Sequence, residues 1–198
     1  MSSAVDHAKR ALRAEQRARR RRFSDVQRAE AAAGITAQLD RLVTAHDARC
    51  VSCFLSTTSE PGTRDFIAGA MARGIRVLLP IARADGLLDW AASAPDQEVV
   101  EPTTGAPEPL AARLGPVAVD DVDLLIIPAA AVDRAGMRLG WGRGYFDKTL
   151  GSMKRRPPVY AVVFDSELVD EVPSDDRDER VDGVVTPTRI IDIAPRRR

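Results

Sequence analysis

Apolar positions along the chain form short unbroken runs that alternate with stretches of helix-forming residues. The clearest run lies within residues 121–128, where Leu-Leu-Ile-Ile-Pro follows two aspartates, and residues 157–164 form a second. Such runs are typical of parallel strands that are covered on both faces. Because strands and helical stretches alternate, we predict a single α/β domain over residues 1–198. It would be a three-layer α/β/α sandwich with a mostly parallel central sheet.

The N-terminal part of the chain is helical in pattern. Residues 6–22 are rich in Ala, Leu, Arg and Gln and contain neither Gly nor Pro, which predicts one helix. Ser24 and Gln27 form a capping box, which predicts a second helix that ends near Ala45, with Gly34 as its weak point. An N-terminal helical segment of about residues 6–45 therefore precedes the sheet.

The remaining elements follow in strand and helix order. A strand at 50–55, a helix at 64–73 and a strand at 76–79 that ends at Pro80 form a βαβ unit. A short strand at 87–91 precedes residues 93–116, which hold five prolines and two glycines and predict an irregular surface segment. The other predicted elements are a helix at 145–153 and strands at 121–128, 157–164, 183–186 and 190–193.

Composition narrows the class of protein. The chain carries 29 basic and 29 acidic residues, so charge gives no reason to expect a nucleic-acid or membrane partner. The longest uncharged apolar run is far shorter than a membrane span, and the N-terminus lacks an apolar signal core. Cys50 and Cys53 lie in a predicted strand without histidines at zinc-ligand spacing, so we interpret them as reduced thiols. We expect a cytoplasmic monomer that binds small molecules.

The segment 138–147 reads Arg-Leu-Gly-Trp-Gly-Arg-Gly-Tyr-Phe-Asp. Its glycines lack β-carbons, so backbone N–H groups can close on an anion, and Arg138 and Arg143 add positive charge. Asp147 is a candidate ligand for the Mg²⁺ that accompanies nucleotide phosphates. We interpret the segment as a phosphate cradle; the alternative is a glycine-rich surface turn ahead of a helix.

Two commoner glycine motifs do not fit this segment. A dinucleotide fingerprint needs Gly-x-Gly-x-x-Gly directly after a strand, whereas these glycines alternate and begin well beyond Pro128. A P-loop needs Gly-Lys-Ser/Thr, but Asp147 precedes Lys148. Both motifs are therefore excluded.

Further candidate residues lie outside the glycine-rich segment. Lys9, Arg10 and Arg13 are spaced to share the surface of one helix, where they can reach a phosphate. Glu60 follows a strand, at the end where open α/β sheets bind ligands. Residues 173–182 form an acidic loop that holds Asp175, Asp176, Asp178 and Asp182; the alternatives for this loop are a metal site and a solvated surface.

In this order, the segments resemble the 5-formyltetrahydrofolate cyclo-ligase family, also called methenyltetrahydrofolate synthetases. The resemblance extends over nearly the whole chain, and the glycine-rich segment is its most specific part. The matching pieces are Lys9-x-x-Leu12-Arg13, Glu60-x-x-Thr63, Leu79-Pro80, Glu101-Pro102, residues 123–128, residues 136–147, and Pro173 followed by Asp178 and Asp182.

The resemblance implies an ATP- and Mg²⁺-dependent enzyme. The formyl oxygen of 5-formyltetrahydrofolate attacks the γ-phosphorus of ATP, and the N10 amine then closes the ring. The products are 5,10-methenyltetrahydrofolate, ADP and phosphate. Arg138, Arg143 and Tyr145 would be closest to this chemistry, Leu55, Glu60 and Tyr145 would bind the folate, and Asp147 and Asp178 would bind Mg²⁺. The implied ATP-binding residues are Lys9, Arg10, Arg13, Arg138, Gly140, Trp141, Gly142, Arg143, Gly144, Tyr145 and Phe146.

One departure from the family pattern affects a phosphate contact. Trp141 stands where the family usually has Arg, and an indole cannot replace a guanidinium as a phosphate ligand. Arg143 is a candidate replacement, because positions i and i+2 of an extended segment share a side. Two alternatives remain: a divergent relative that acts on another N-formyl compound, and a non-catalytic relative that binds RNA through the N-terminal helix and Arg196–Arg198.

Overall fold

The structure is a computed structural model that describes residues 2–95, 98–100 and 107–193. The helices are α1 (Ser2–Arg20), α2 (Asp25–Ala45), α3 (Arg64–Ala72) and α4 (Tyr145–Ser152). The strands are β1 (Cys50–Ser52), β2 (Arg76–Ala82), β3 (Leu88–Ala92), β4 (Val99–Val100), β5 (Glu108–Pro109), β6 (Leu124–Pro128), β7 (Ala131–Asp133), β8 (Arg138–Leu139), β9 (Val159–Val162), β10 (Leu168–Val169), β11 (Gly183–Val185) and β12 (Ile190–Asp192). Short 3₁₀ helices lie at Pro116–Asp121 and Asp165–Glu167.

The central sheet has seven strands in the order β12-β11-β9-β6-β1-β2-β3. The neighbours from β11 to β2 are all parallel, and the edge strands β12 and β3 are antiparallel to them. The chain moves from β1 to β2 on one side and later returns to β6 on the other side of β1. In open α/β sheets, ligands bind at the carboxyl ends of the strands where the order reverses in this way.

Successive side chains of β6 enter opposite cores. Leu124 and Ile126 pack with the buried residues of α2 and α3, whereas Leu125 and Ile127 pack with α4 and the 3₁₀ helix at Pro116–Asp121. Alternate residues of a strand point to opposite faces of a sheet, so a strand in the middle layer must be apolar throughout. The predicted three-layer α/β/α sandwich with a mostly parallel sheet is confirmed.

Helix α1 packs against a separate small sheet of order β10-β7-β8. Leu12 is the apolar contact that α1 makes with the buried cluster there, which includes Met137 and Leu139. The buried side chains of α1 are otherwise polar: Lys9, Gln16 and Arg20. Polar contacts therefore determine the position of α1.

Several predicted boundaries needed correction. The predicted end of the second strand at Pro80 is wrong, because β2 continues to Ala82. Its pairing with β1 ends at Leu78, so Pro80 lies beyond that ladder and its missing N–H removes no bond to β1. The hairpin formed by β7 and β8 was not predicted, and it converts the first two residues of the glycine-rich segment into a strand.

In the described residues of the irregular segment at 93–116, β4 pairs with β5 in antiparallel orientation. Glu101 and Pro102, part of the family resemblance, lie outside the described residues, as do Arg196–Arg198. Among the residues that the structure describes, no helix combines the length and the apolar character needed to cross a bilayer.

A pair of glycine substitutions tests the packing of α2. A β-carbon at Gly34 would lie 2.4 Å from the carbonyl oxygen of Pro187, whereas one at Gly69 in α3 would lie 3.4 Å from the flexible side chain of Arg73. Gly34→Ala is expected to lower the free energy of unfolding by about 1–3 kcal/mol, because the backbone contact cannot yield. Gly69→Ala should raise it by up to about 1 kcal/mol through helix propensity.

Urea unfolding followed by circular dichroism measures both values. A Gly34→Ala protein at least as stable as the wild type would show that α2 does not approach Pro187 this closely.

Candidate active site

A cavity of about 590 Å³ opens at the carboxyl ends of β1, β2 and β6. Leu55 follows β1, Pro80 lies near the end of β2, and Pro128 ends β6; all three border the cavity. The glycine-rich segment forms a second wall, and the C-terminal end of α1 forms a third. The cavity therefore lies beside the point where the strand order reverses.

The sequence-predicted residues divide into cavity-lining and supporting residues. Leu55 and Glu60 border the cavity, as do these residues of the glycine-rich segment: Arg138, Gly140, Trp141, Arg143, Gly144, Tyr145, Phe146 and Asp147. Arg13 contacts Gly140 of this wall and Gly142 beside it, and Lys9 pairs with Asp178 in the acidic loop. Arg10 is exposed, and its Nε donates to the backbone oxygen of Asp6 within α1.

Two glycines of the segment have backbone conformations that L side chains rarely adopt. Gly142 has φ +102°, and its missing β-carbon would lie 3.5 Å from the guanidinium carbon of Arg13. Gly144 has φ +69° and caps the N-terminus of α4. Arg13 also donates from Nε to the carbonyl oxygen of Gly140 at 2.7 Å. The segment is thus held against α1 by its own backbone.

Arg138 is buried and pairs with Asp147. Its Nη2 lies 2.6 Å from Oδ1 of Asp147, and the same oxygen accepts the backbone N–H of Glu179 at 3.3 Å. Burial lowers the pKa of Arg138, and the charge of Asp147 opposes that effect. The pair fixes the first residue of the glycine-rich segment to the last.

Lys9 is held between two carboxylates of the acidic loop. Its Nζ lies 3.0 Å from Asp175 and 2.5 Å from Asp178. Burial acts to lower the pKa of Lys9, but hydrogen bonds to Asp178 and Asp175 raise it above its usual value. The side chain is therefore cationic. Asp182 has a different task, because its Oδ2 accepts the backbone N–H of Val159.

Asp147 and Asp178 are brought close together, because Glu179, the neighbour of Asp178, bonds to Asp147. Within the described residues, Oδ2 of Asp147 and Oδ1 of Asp178 have no hydrogen-bond donor. No group of three or more Asp, Glu, His or Cys in that part of the chain forms a metal cage. Mg²⁺ typically binds one or two carboxylates together with phosphate oxygens and water. The two aspartates fit such a metal when it arrives with a nucleotide.

The loop that carries Glu60 is internally braced. Ser56 and Thr63 exchange backbone-to-hydroxyl hydrogen bonds of 3.2 and 3.1 Å, and the Thr63 hydroxyl also donates to the Phe54 carbonyl at 2.5 Å. Oε2 of Glu60 accepts the backbone N–H of Thr57 at 2.9 Å. Glu60 is thus positioned by a backbone contact, and among the described residues no Lys or Arg forms an ion pair with its carboxylate.

A buried ion pair lies at the wall of the cavity. Arg20 and Glu167 are each 1% exposed and share hydrogen bonds of 2.6 and 2.9 Å, while Arg20 also donates to the carbonyl oxygen of Ala129. Burial raises the pKa of Glu167, and the hydrogen bond from Arg20 opposes that rise. The Trp141 ring lies over this guanidinium at 4.7 Å and over that of Arg17 at 5.3 Å.

Sequence reasoning missed two groups of cavity residues. Arg17, Arg20 and Arg21 border the cavity, and none of them is among the predicted site residues; the spacing of Arg17 one turn after Arg13 was the available signal. Glu108 also borders the cavity, and its Oε1 accepts the Ala82 N–H. A second Glu-Pro pair in the irregular segment was the available signal.

The parallel sheet is covered on both faces, and a glycine-rich segment and several cations line the point where its strand order reverses. This is the arrangement of an α/β enzyme that acts on anionic small molecules. The sequence model of the 5-formyltetrahydrofolate cyclo-ligase family matches residues 5–187. The chain belongs to this family of ligases, so the resemblance inferred from the ordered motifs is confirmed.

Two relatives illustrate the similarity. The chain is 37% identical over 146 residues to the 5-formyltetrahydrofolate cyclo-ligase of Mycolicibacterium smegmatis, covering 71% of this chain and 75% of the relative. It is 32% identical over 148 residues to the 5-formyltetrahydrofolate cyclo-ligase of Escherichia coli, covering 72% of this chain and 80% of the relative.

Solved structures share the fold. The 5,10-methenyltetrahydrofolate synthetase of Aquifex aeolicus superposes with a TM-score of 0.78 at 22% identity, over 96% of this chain and 95% of the other. The corresponding synthetase of Mycoplasma pneumoniae gives a TM-score of 0.73 at 18% identity, over 90% and 98% of the two chains. At these identities the superpositions establish the fold alone.

The buried pair generates a stability prediction. Arg20→Met leaves Glu167 without its cation, and the free energy of unfolding is expected to fall by about 3–5 kcal/mol. Arg20→Met combined with Glu167→Met removes both charges and should recover part of that loss. Arg19→Met is the matched control, because Arg19 pairs with Glu15 on the exposed side of the same helix and such pairs contribute under about 1 kcal/mol.

Denaturant unfolding of the variants compares these free energies. Equal losses for Arg19→Met and Arg20→Met would contradict a special role of the buried pair.

Proposed function

We propose that the protein catalyses the ATP- and Mg²⁺-dependent cyclisation of 5-formyltetrahydrofolate to 5,10-methenyltetrahydrofolate, with release of ADP and phosphate. The observation that carries the proposal is that one cavity borders both the cationic glycine-rich segment and the residues Leu55, Glu60 and Tyr145. Two ligands bound at these walls would meet inside the same space. A reaction between a folate and a nucleotide requires such a meeting.

The glycine-rich wall is the proposed site of the ATP phosphates. Backbone N–H groups from Gly140 to Gly144, together with the N-terminus of α4, offer donors to an anion. Arg138 keeps its place through Asp147, and Arg143 is exposed at the cavity. Supporting contributions come from α1. The proposed ATP-binding set is Lys9, Arg10, Arg13, Arg138, Gly140, Trp141, Gly142, Arg143, Gly144, Tyr145 and Phe146.

Asp147 and Asp178 are the proposed ligands of the Mg²⁺ that accompanies ATP. Each has one carboxylate oxygen without a donor among the described residues, while the other oxygen is held by Arg138 or by Lys9. The residues are therefore oriented before any metal binds. Mg²⁺ would neutralise charge on the transferring phosphoryl group.

The opposite walls are the proposed folate site. Leu55 offers apolar contact, Glu60 offers a carboxylate to N–H groups, and Tyr145 lies where the two ligands meet. The formyl oxygen attacks the γ-phosphorus as ADP leaves, and N10 then attacks the formyl carbon and releases its proton as phosphate leaves. No protein nucleophile is needed, so the task of the chain is alignment and charge stabilisation. Arg138, Arg143 and Tyr145 are the residues that we place nearest the reacting atoms.

A direct assay tests the proposed function. Purified protein with 5-formyltetrahydrofolate, ATP and Mg²⁺ is expected to produce the near-ultraviolet absorbance of the methenyl product, and omission of ATP or Mg²⁺ should abolish it. Growth of the band would also show that Trp141 is compatible with activity. ATP binding without any methenyl product would contradict the proposed substrate and direct the search to other N-formyl compounds.

The two aspartates give a second prediction. Asp147→Asn and Asp178→Asn are each expected to raise the Mg²⁺ concentration for half-maximal activity by at least about tenfold, because an amide binds the cation more weakly than a carboxylate. Asp176→Asn is the matched control, since Asp176 is exposed in the same acidic loop.

Mg²⁺ titrations at saturating ATP and folate measure the effect. If Asp176→Asn shifted the midpoint as much as Asp178→Asn, a general charge effect of the loop would replace the proposed ligand role.

A further inference from the structure

Trp141 raises the question of which cation serves the phosphate chain beside the glycine-rich segment. Position 141 lies between Gly140 and Gly142 of the proposed phosphate site, and its indole offers no positive charge. The Trp141 ring nevertheless has guanidinium groups against it: the carbon Cζ lies 5.3 Å away in Arg17 and 4.7 Å away in Arg20. Two guanidinium groups of α1 therefore lie close to the uncharged side chain at position 141.

The two guanidinium groups differ in exposure and in charge compensation: Nε and Nη2 of Arg20 bond to Glu167 and only its buried Nη1 has no partner among the described residues. Arg20 is buried, and its charge is compensated by the two hydrogen bonds to Glu167. Arg17 is exposed and borders the cavity. Its guanidinium has no carboxylate partner among the described residues, so its charge is free to meet an anion.

Helix α1 and the glycine-rich segment lie side by side in register. Arg13 donates to the carbonyl oxygen of Gly140, and Arg17, one helical turn later, contacts the ring of Trp141. Successive turns of the helix thus meet successive residues of the segment. Arg17 is thereby placed at the same wall of the cavity as the backbone N–H groups of the proposed phosphate site.

The cations of α1 also repel one another. Burial and the neighbouring charge of Arg17 lower the pKa of Arg13. Like charges one turn apart destabilise a helix, and a bound polyanion would relieve the repulsion for both. Lys9 and Arg20 are paired with carboxylates, so it is the exposed charge of Arg17 at the cavity that favours an anionic ligand.

We propose that Arg17 binds the phosphate chain of ATP and supplies, from α1, the cation that position 141 lacks. Trp141 holds the guanidinium of Arg17 by a cation–π contact, which retains both its charge and its N–H donors. Arg143, the candidate inferred from the sequence, is also exposed at the cavity, but the cation–π contacts of Trp141 in the described part of the chain are with Arg17 and Arg20. This inference rests on the proposed function for the identity of the anion.

The test uses Arg17→Ala, Trp141→Arg and the double variant. Arg17→Ala is expected to raise both the KM for ATP and the Kd for ATP by about tenfold, the usual effect of losing a charged hydrogen bond. The KM for 5-formyltetrahydrofolate should stay within about twofold. Arg22→Ala is the matched control: Arg22 is an exposed arginine just beyond α1 that does not border the cavity, and its ATP constants should equal those of the wild type.

The double variant makes the test specific. If Arg17 replaces the missing cation, Trp141→Arg in the Arg17→Ala background should restore the Kd for ATP to within about threefold of the wild type. Calorimetric titration with ATP and Mg²⁺, without folate, measures this Kd independently of turnover. Circular dichroism melting confirms that each variant is folded.

Three results with the variants would overturn the inference. These are ATP constants of Arg17→Ala within about twofold of the wild type, a KM change confined to the folate, or failure of Trp141→Arg to restore ATP binding. If the wild type is active and the variants give any of these results, the proposed function stands and only the role of Arg17 is rejected. A wild type that binds ATP without forming methenyl product removes the proposed function, while the Kd values still decide the role of Arg17. A wild type that does not bind ATP overturns both.

Discussion

The ion pair between Arg20 and Glu167 is the contact on which the position of α1 depends. Arg20 bonds to Glu167 and to the carbonyl oxygen of Ala129, and Glu167 also accepts the backbone N–H of Phe164. These bonds join the end of α1 to the segments that follow β6 and β9. Burial of a guanidinium without such partners costs free energy. Helix α1 is therefore stable only in the position where Arg20 meets them. Arg13 and Arg17 are then aligned with the glycine-rich segment.

Charge is balanced over the whole chain but unevenly distributed around the cavity. Lys9 is compensated by Asp175 and Asp178, and Arg138 is compensated by Asp147. These pairs orient the carboxylates that we propose as metal ligands. The arginines that border the cavity without carboxylate partners among the described residues, Arg17, Arg21 and Arg143, leave it electropositive on that side. The cations of the site therefore have two roles: some position carboxylates, and others can bind a substrate.

Much of the fold could be predicted because its determinants are local. The capping box of Ser24 and Gln27 is present, and the apolar run in β6 gave the central strand. Predictions failed where pairing between distant segments determines the structure. Pro80, for example, is tolerated within β2 because the pairing of β2 with β1 has already ended there. The pairs of Lys9 with Asp178 and of Arg20 with Glu167 join residues about 150 or more positions apart, and no local pattern encodes such distances. The glycine-rich segment could be predicted because the spacing of its glycines is what allows backbone N–H groups to bind an anion. The contact of Arg17 with Trp141 could not be predicted in this way.

The polar docking of α1 has a consequence for the order in which the molecule assembles. The two large cores contain residues of α2, α3, α4 and the central sheet but none of α1. Sheet and covering helices can therefore condense first, and α1, whose partners include the distant acidic loop, attaches afterwards. Regions with few buried apolar contacts open at a lower free energy than the core. Amide hydrogens of α1 should thus exchange through local detachment, and a ligand that bridges α1 to the glycine-rich segment would slow that exchange without changing the sheet.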